Sequence, residues 1–365
     1  MSHWPTYPLG TAIELAYGKS LPKNTRSEGG NIPVYGSNGI AGWHSEALVD
    51  GPTVIVGRKG SAGAVQFVEG PCFPIDTTYF VRPRAGFDFD IRFLYFQLRK
   101  LDLSRLRTAT GVPGLTREDA YRELISVPPL PEQRRIVDLL SRAEGIVRLR
   151  REAEKKAAEL IPALFLDTFG DPATNPKGWP TALFGEVGVL DRGRSRHRPR
   201  DAKELYGGPY PFIQTGDVAN SGGRIRSHTS AYSEAGLAQS RLWQKGTLCI
   251  TIAANIAKTG VLEFHACFPD SVVGFLPSDR VRTEYVQAWL GFLQPTLEAN
   301  APQAAQKNIN LEILRSLPIP VPPLDVQEAF EQRCHDVVSI QSQQSAATAK
   351  SRATFNALLA QVFSE

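Results

Sequence analysis

The stretch VPPLPEQRRIVDLL, Val127–Leu140, has a near copy in VPPLDVQEAF, Val321–Phe330. Each reads as a proline-stiffened entry into an amphipathic helix. At that offset of 194 residues, Val127–Phe169 aligns with Val321–Phe363 without a gap, and 11 of the 43 positions are identical. The segments before the two phrases echo each other as well: WPTYPLGTAIELAYGKS from Trp4 matches WPTALFGEVGVLDRGRS from Trp179 at seven positions. GAVQFVEGPCFP (Gly63–Pro74) matches GVLEFHACFP (Gly260–Pro269) once two residues are dropped. A fixed-offset repeat of this kind marks a duplication: globular segment, helix, globular segment, helix.

Both repeated tails carry the 3–4 spacing of a coiled-coil seam. The first runs Ile136, Leu140, Ala143, Val147, Arg150, Glu154, Ala157, Ile161, Leu164; the second runs Phe330, Cys334, Val337, Gln341, Gln344, Thr348, Ser351, Phe355, Leu358. Pro162 is expected to kink or shorten the first helix. Two separate amphipathic helices are the plainer alternative, but roughly 38 residues at 1.5 Å each make a rod longer than either neighbouring segment needs. Because a compact domain often has its ends close together, the helices are expected to run antiparallel with a globular domain at each end. The expected fold is therefore α+β: two β-rich domains separated by two long antiparallel helices, related by a pseudo-two-fold axis. The expected boundaries are 1–130, 131–170, 171–320 and 321–365.

The chain has 365 residues, enough for two domains. Its N-terminus, MSHWPTYPLG, lacks the basic and apolar regions of a signal peptide. No stretch approaches the ~20 apolar residues of a membrane span. Cys72, Cys249, Cys267 and Cys334 form no C-x-x-C pair, so reduced thiols and a cytoplasmic location are expected. Net charge is +4; the two long globular segments are mildly basic and residues 321–365 are acidic. Such a balance permits nucleic-acid binding without requiring it.

Neither globular segment reads as helical; both look like short strands broken by Gly, Pro, Asn and Asp. TVIVGRKGSAGAVQFV (Thr53–Val68) reads as strand, glycine-rich loop, strand, and TLCITIAANIAKTGVLEF (Thr247–Phe264) takes the corresponding place. The loop lacks the G-x-x-x-x-G-K-[ST] pattern of a phosphate-binding loop, and the second copy has Asn255–Lys258 instead. One scaffold with different polar tips suits two readers of different DNA words. Arg58 and Lys59 fit guanine or phosphate, and Asn255 fits adenine; a plain charged hairpin tip is the alternative for each. DRGRSRHRPRD (Asp191–Asp201) places Arg192, Arg194, Arg196, Arg198 and Arg200 at alternate positions. In an extended segment they would share a face able to follow a phosphate backbone; a solvated loop is the alternative. No methyltransferase, nucleotide-binding or nuclease constellation is present, and the six histidines show no metal-ligand spacing. The chain is therefore expected to bind while its partners do the chemistry.

VPPLPEQRRIVDLL and IPVPPLDVQEAF resemble the conserved regions of specificity subunits of type I restriction–modification systems. YGSNGIAGWH (Tyr35–His44), VDGPTVIVGRKGSAG (Val49–Gly63) and FPIDTTYFV (Phe73–Val81) look like one type of that family's target-recognition domain, and PFIQTGDV (Pro211–Val218) looks like another. The resemblance covers essentially the whole chain. It implies that each target-recognition domain reads one half of a bipartite double-stranded DNA site, while the helices set the gap. Tyr35, Asn38, Ser61, Ser195, Gln214, Thr215 and Lys258 then join the arginines, Lys59 and Asn255 as candidate DNA-binding residues. It implies methyltransferase subunits, two of them expected, using S-adenosylmethionine, and translocating nuclease subunits using ATP and Mg, with no cofactor or metal on this chain itself. The competing readings are the recognition subunit of a type IIB-like cutter, a coiled-coil scaffold that never reads DNA, and a stand-alone enzyme with an unfamiliar site.

Overall fold

The structure, a computed structural model, describes residues 4–27, 29–108, 112–196, 199, 201–253, 256–299 and 309–363. The chain divides into two units, Met1–Glu152 with Ser345–Glu365, and Ala153–Gln344. Both divisions fall inside helices, since Leu130–Ala158 and Leu324–Val362 are each helical throughout. Among the described residues no helix is long and apolar enough to cross a membrane.

In the first unit, strands Ile13–Tyr17, Thr78–Pro83, Thr53–Gly57 and Val65–Val68 form an antiparallel sheet in that order. In the second, Gly188–Arg192, Val272–Pro277, Leu248–Thr251 and Thr259–Leu262 repeat the order, with Arg224–Ile225 added in parallel at the edge. Two glycines retained in both copies show why: a Cβ on Gly18 would stand 2.1 Å from the Ile75 carbonyl oxygen, and one on Gly193 2.1 Å from that of Phe268. At each place only a residue without a side chain lets two backbone segments pass.

The expectation that the globular segments hold no helix is wrong. Ile91–Leu101 is helical, and so is Thr283–Ala299. Asp90 caps the first by accepting from the backbone of Arg92 (2.9 Å) and Phe93 (3.3 Å). The residues read as strand-like because aromatics are dense in them, Phe93, Tyr95 and Phe96 in the first and Tyr285, Trp289 and Phe292 in the second. They fold as helices because Phe93, Leu94, Phe96 and Leu98 are packed into the sheet from a capped start. In the second helix Tyr285, Val286, Trp289 and Leu290 are buried, at the i, i+1, i+4, i+5 spacing of a helix face.

The repeated VPPL phrase anchors each body to its helix. Val127 N–H donates to the Pro5 carbonyl at 2.8 Å, and Val321 N–H to that of Pro180 at 2.7 Å. Gln133, fully buried, accepts from Asp90 N–H (2.9 Å) and donates to the carbonyls of Asp88 (3.0 Å) and Pro128 (2.8 Å). Gln327, equally buried, repeats the set: Arg282 N–H (2.8 Å), Arg280 (3.1 Å) and Pro322 (2.8 Å). The phrase occurs twice because each copy seats one globular body on one helix through a side-chain amide that no shorter or apolar residue can imitate.

Every seam residue named from the sequence is buried or half-buried. The first helix stops at Ala158 and restarts at Leu160, where Pro162 has no N–H for the carbonyl of Ala158. Each unit is completed by the tail of the other copy's helix. In the second unit Phe165 and Phe169 pack on Tyr285 and Phe330, and Gln341 donates to the Ala157 carbonyl at 2.7 Å. Helix numbers rise on one side as they fall on the other, so the pairing is antiparallel. In the first unit Phe355 and Leu359 enter the core beside Ile136, Leu140 and Val147, and Phe363 lies 5.5 Å from Phe93.

Candidate nucleic-acid interface

In the first unit the chain reversals at one end of the four-stranded sheet meet. The loop Gly57–Gly63 is held open by its backbone: Arg58 and Lys59 N–H donate to the Thr77 carbonyl at 2.8 and 3.1 Å, and Gly60 N–H to that of Pro113 at 2.9 Å. Gly60 and Gly63 take φ of +76° and +79°, a conformation that suits glycine. Lys59 and Ser61 are left exposed at the tip. Beside them is the turn that carries Asn38, also exposed, since Ser37 lies against Gly57 and Gly60. Arg58, Lys59, Ser61 and Asn38 are therefore brought together. Tyr35 is not: it is half-buried against Ile55, Val68 and Cys72, and burial pushes its hydroxyl pKa upward.

Sequence reasoning missed two residues of this end. Tyr17, 47% exposed, carries the Arg58 guanidinium at 4.9 Å from its ring centre and that of Arg117 at 4.4 Å. Arg58 also donates to the Asp76 carbonyl at 2.9 Å. An exposed aromatic ending a strand just before Gly18-Lys19 was the available signal; nothing in the sequence linked it to Arg117.

The second unit offers a different surface at the same sheet end. After Arg192, the last residue of its strand, Arg194 and Arg196 are exposed and Ser195 between them is buried, the alternation of an extended run. Arg194 N–H donates to the Phe268 carbonyl (3.0 Å), Ser240 Oγ to the Arg194 carbonyl (2.8 Å), and Arg196 N–H to Gln239 Oε1 (2.5 Å). Lys258, exposed, has its N–H held by Thr251 Oγ1 at 3.1 Å. Arg198, Arg200 and Asn255 lie outside the described residues. Gln214 and Thr215 stand at the start of the helix Thr215–Ala219, where Gln214 lines a separate groove of about 480 Å³ with Asp217, Asn220, Arg224 and Arg226.

Spacing along the chain shows no metal set, yet the fold gathers Glu284, Glu331 and His335 with their ligand atoms within 4.8 Å of one another. The group is an ion-pair cluster: Glu284 Oε1 takes Arg224 Nη2 at 2.7 Å and lies 3.6 Å from His335 Nε2, and Arg282 pairs with Glu328. Burial pushes the Glu284 carboxyl up, but hydrogen bonds from Glu331 and Arg224 outweigh it and hold it below the usual range. Burial and then the bond to Glu284 hold Glu331 above it. The folded chain thus keeps a proton on Glu331 that the unfolded chain releases, so stability falls as pH rises from the ordinary glutamate range to the raised one. Glu284 contributes with the opposite sign, losing its contribution as pH falls. Glu331→Gln keeps a donor to Glu284 and removes the first slope. Its thermal midpoint is expected to gain on that of the parent chain between about pH 5 and about pH 8; an equal difference at both would contradict this assignment.

The sequence profile described as the type I restriction modification DNA specificity domain matches residues 1–159 and again 176–344. The provisionally assigned MjaX type I restriction enzyme specificity subunit of Methanocaldococcus jannaschii is 21% identical over 222 residues, 57% of this chain and 51% of that protein. The type I restriction enzyme EcoprrI specificity subunit of Escherichia coli is 22% identical over 170 residues, 43% of this chain and 42% of that protein. The chain thus spans about half the length of the curated relatives it matches. Among solved structures, the S subunit of a type I restriction–modification system from M. genitalium superposes with a TM-score of 0.59 at 15% identity, over 99% of this chain and 96% of that one. A chain from a structure on complex assembly and conformational transition of the type I system gives 0.62 at 22%, over 99% and 97%. These likenesses show that the fold is shared.

Proposed function

The chain belongs to the type I restriction modification DNA specificity domain family, and from that membership we propose that it reads a bipartite DNA site for a restriction–modification complex. Each unit reads one half-site through the loops at its sheet end, the helices set the gap, and the helices dock methyltransferase subunits. The chain itself is non-catalytic and binds no cofactor; S-adenosylmethionine serves the methyltransferase, and ATP and Mg serve a translocating nuclease. The observation that carries the reading is one scaffold presented twice with different polar tips: Arg58, Lys59 and Ser61 on one copy, Arg194, Arg196 and Lys258 on the other. A partner-assembling scaffold would need neither the loops nor their cations, and family membership weighs against both it and a stand-alone enzyme.

The test is to co-express the chain with its methyltransferase and map N6-methyladenine in the host DNA. Two short words at a fixed gap are expected, lost when this chain is deleted; no such motif would defeat the reading. Inserting one heptad into both helices is expected to keep the words and change the gap, because about 10 Å of helix is added while the reading loops are untouched. An unchanged gap would remove the helices from the spacing role.

A further inference from the structure

Several arginines in this fold meet carboxylates, as Arg99 meets Glu144 and Arg224 meets Glu284. Arg58 and Arg117 do not. Among the described residues neither guanidinium has a carboxylate partner, and Arg117 Nε is enclosed without a hydrogen-bond acceptor. Both cations nevertheless lie within 5 Å of the one Tyr17 ring. Such a ring attracts each through its π face and leaves N–H groups of both forks to donate, Arg58 committing only Nη1 to the Asp76 carbonyl at 2.9 Å. Two like charges brought to one exposed ring with no counter-charge leave an unmet demand for an anion, and a forked pair of guanidiniums matches a phosphate. The seat stands beside Lys59 and Ser61, and Tyr17 is pinned below by Tyr79, 5.2 Å away, whose hydroxyl donates to the Leu115 carbonyl at 3.0 Å. In the second copy the offsets that align the strand and the short helix place Arg192 and Leu311 where Tyr17 and Arg117 stand, so the pair belongs to the first unit alone.

We propose that Tyr17, Arg58 and Arg117 form a seat for one backbone phosphate of the DNA, with Arg58 and Arg117 as its donors and Tyr17 as a positioning residue. The proposal rests on the DNA-reading function above. It assigns Arg58 to the backbone and not to a base edge, so the seat fixes the register of the first unit on the duplex and carries no sequence information of its own.

The experiment measures binding of the chain, co-purified with its methyltransferase, to its own site and to scrambled duplex across a salt series. Arg117→Gln is expected to weaken both by roughly tenfold and to lower the magnitude of the salt slope by about 1, the signature of one lost phosphate. Arg58→Gln should do the same, with the methylated words unchanged. Tyr17→Phe should bind as the parent does, whereas Tyr17→Leu should lose part of the affinity at an unchanged thermal midpoint. If the parent complex discriminates its site but Arg117→Gln leaves affinity and slope intact, the seat is overturned. A changed base in one word with an unchanged slope would also overturn it, by making these residues readers of sequence. If the parent complex does not discriminate its site at all, it is the DNA-reading function that fails.

Discussion

Gln133→Leu is expected to lower the stability of the first unit by about 3 kcal/mol, although leucine nearly matches glutamine in size. The buried amide serves Asp90 N–H and the carbonyls of Asp88 and Pro128, and leucine would leave all three without partners, each at a cost of about 1–3 kcal/mol less whatever relaxation recovers. Gln133→Glu should do no better. A carboxylate can still accept from Asp90 N–H, but it faces two carbonyl oxygens with no proton to give and brings charge into a fully buried place. Gln327→Leu should have the same effect on the second unit, through Arg282, Arg280 and Pro322. Urea unfolding gives the sum, and hydrogen exchange at Asp90 and Arg282 tells which unit opens. A loss below about 1 kcal/mol would mean that water replaces the amide and that the repeated phrase has another purpose.

Phe165→Ala is expected to cost about 3–5 kcal/mol, the usual range for removing a fully buried aromatic side chain. Its ring is 1% exposed and has Phe292 at 4.9 Å, Phe169 at 5.0 Å, Tyr285 at 5.7 Å and Phe330 at 5.9 Å. Aromatic contacts of this geometry add to the area buried. The residue at the same place in the other copy is Leu359, 8% exposed, whose replacement by alanine leaves a smaller hole. Calorimetry of both variants should show the larger fall for Phe165→Ala. Equal falls would indicate that the two tails are held by their helices and not by these side chains.

Much of this architecture was legible because duplication leaves paired marks. The VPPL phrases, the retained Gly18 and Gly193, and the seam from Ile136 to Leu164 all show in the sequence and all have structural causes. The helices Ile91–Leu101 and Thr283–Ala299 were missed because their dense aromatics favour a strand reading, although the Asp90 cap and the Tyr285–Trp289 interval were cues to a helix. The candidate interface was partly legible. Exposed tips such as Lys59, Ser61 and Arg196 follow from glycine-bounded loops and alternation. Whether a polar aromatic points in or out does not follow, and Tyr35 turned inward while Tyr17 stayed out. The meeting of Tyr17 with Arg117 spans 100 residues and depends on the sheet closing first.

The first unit is discontinuous: its chain is interrupted after Glu152 and resumes at Ser345. That arrangement has a consequence for the order in which a growing polypeptide can close. Domains generally fold as they leave the ribosome, amino-terminal one first. Here the second unit, one uninterrupted run from Ala153 to Gln344, has all its contacts on hand while the first still lacks Phe355 and Leu359. Ile136, Leu140 and Val147 must wait for Phe355 and Leu359 to be made before this part of their core is complete. Of the two units the first is thus finished after the second, and a chain cut short before Phe355 is damaged far upstream of the cut.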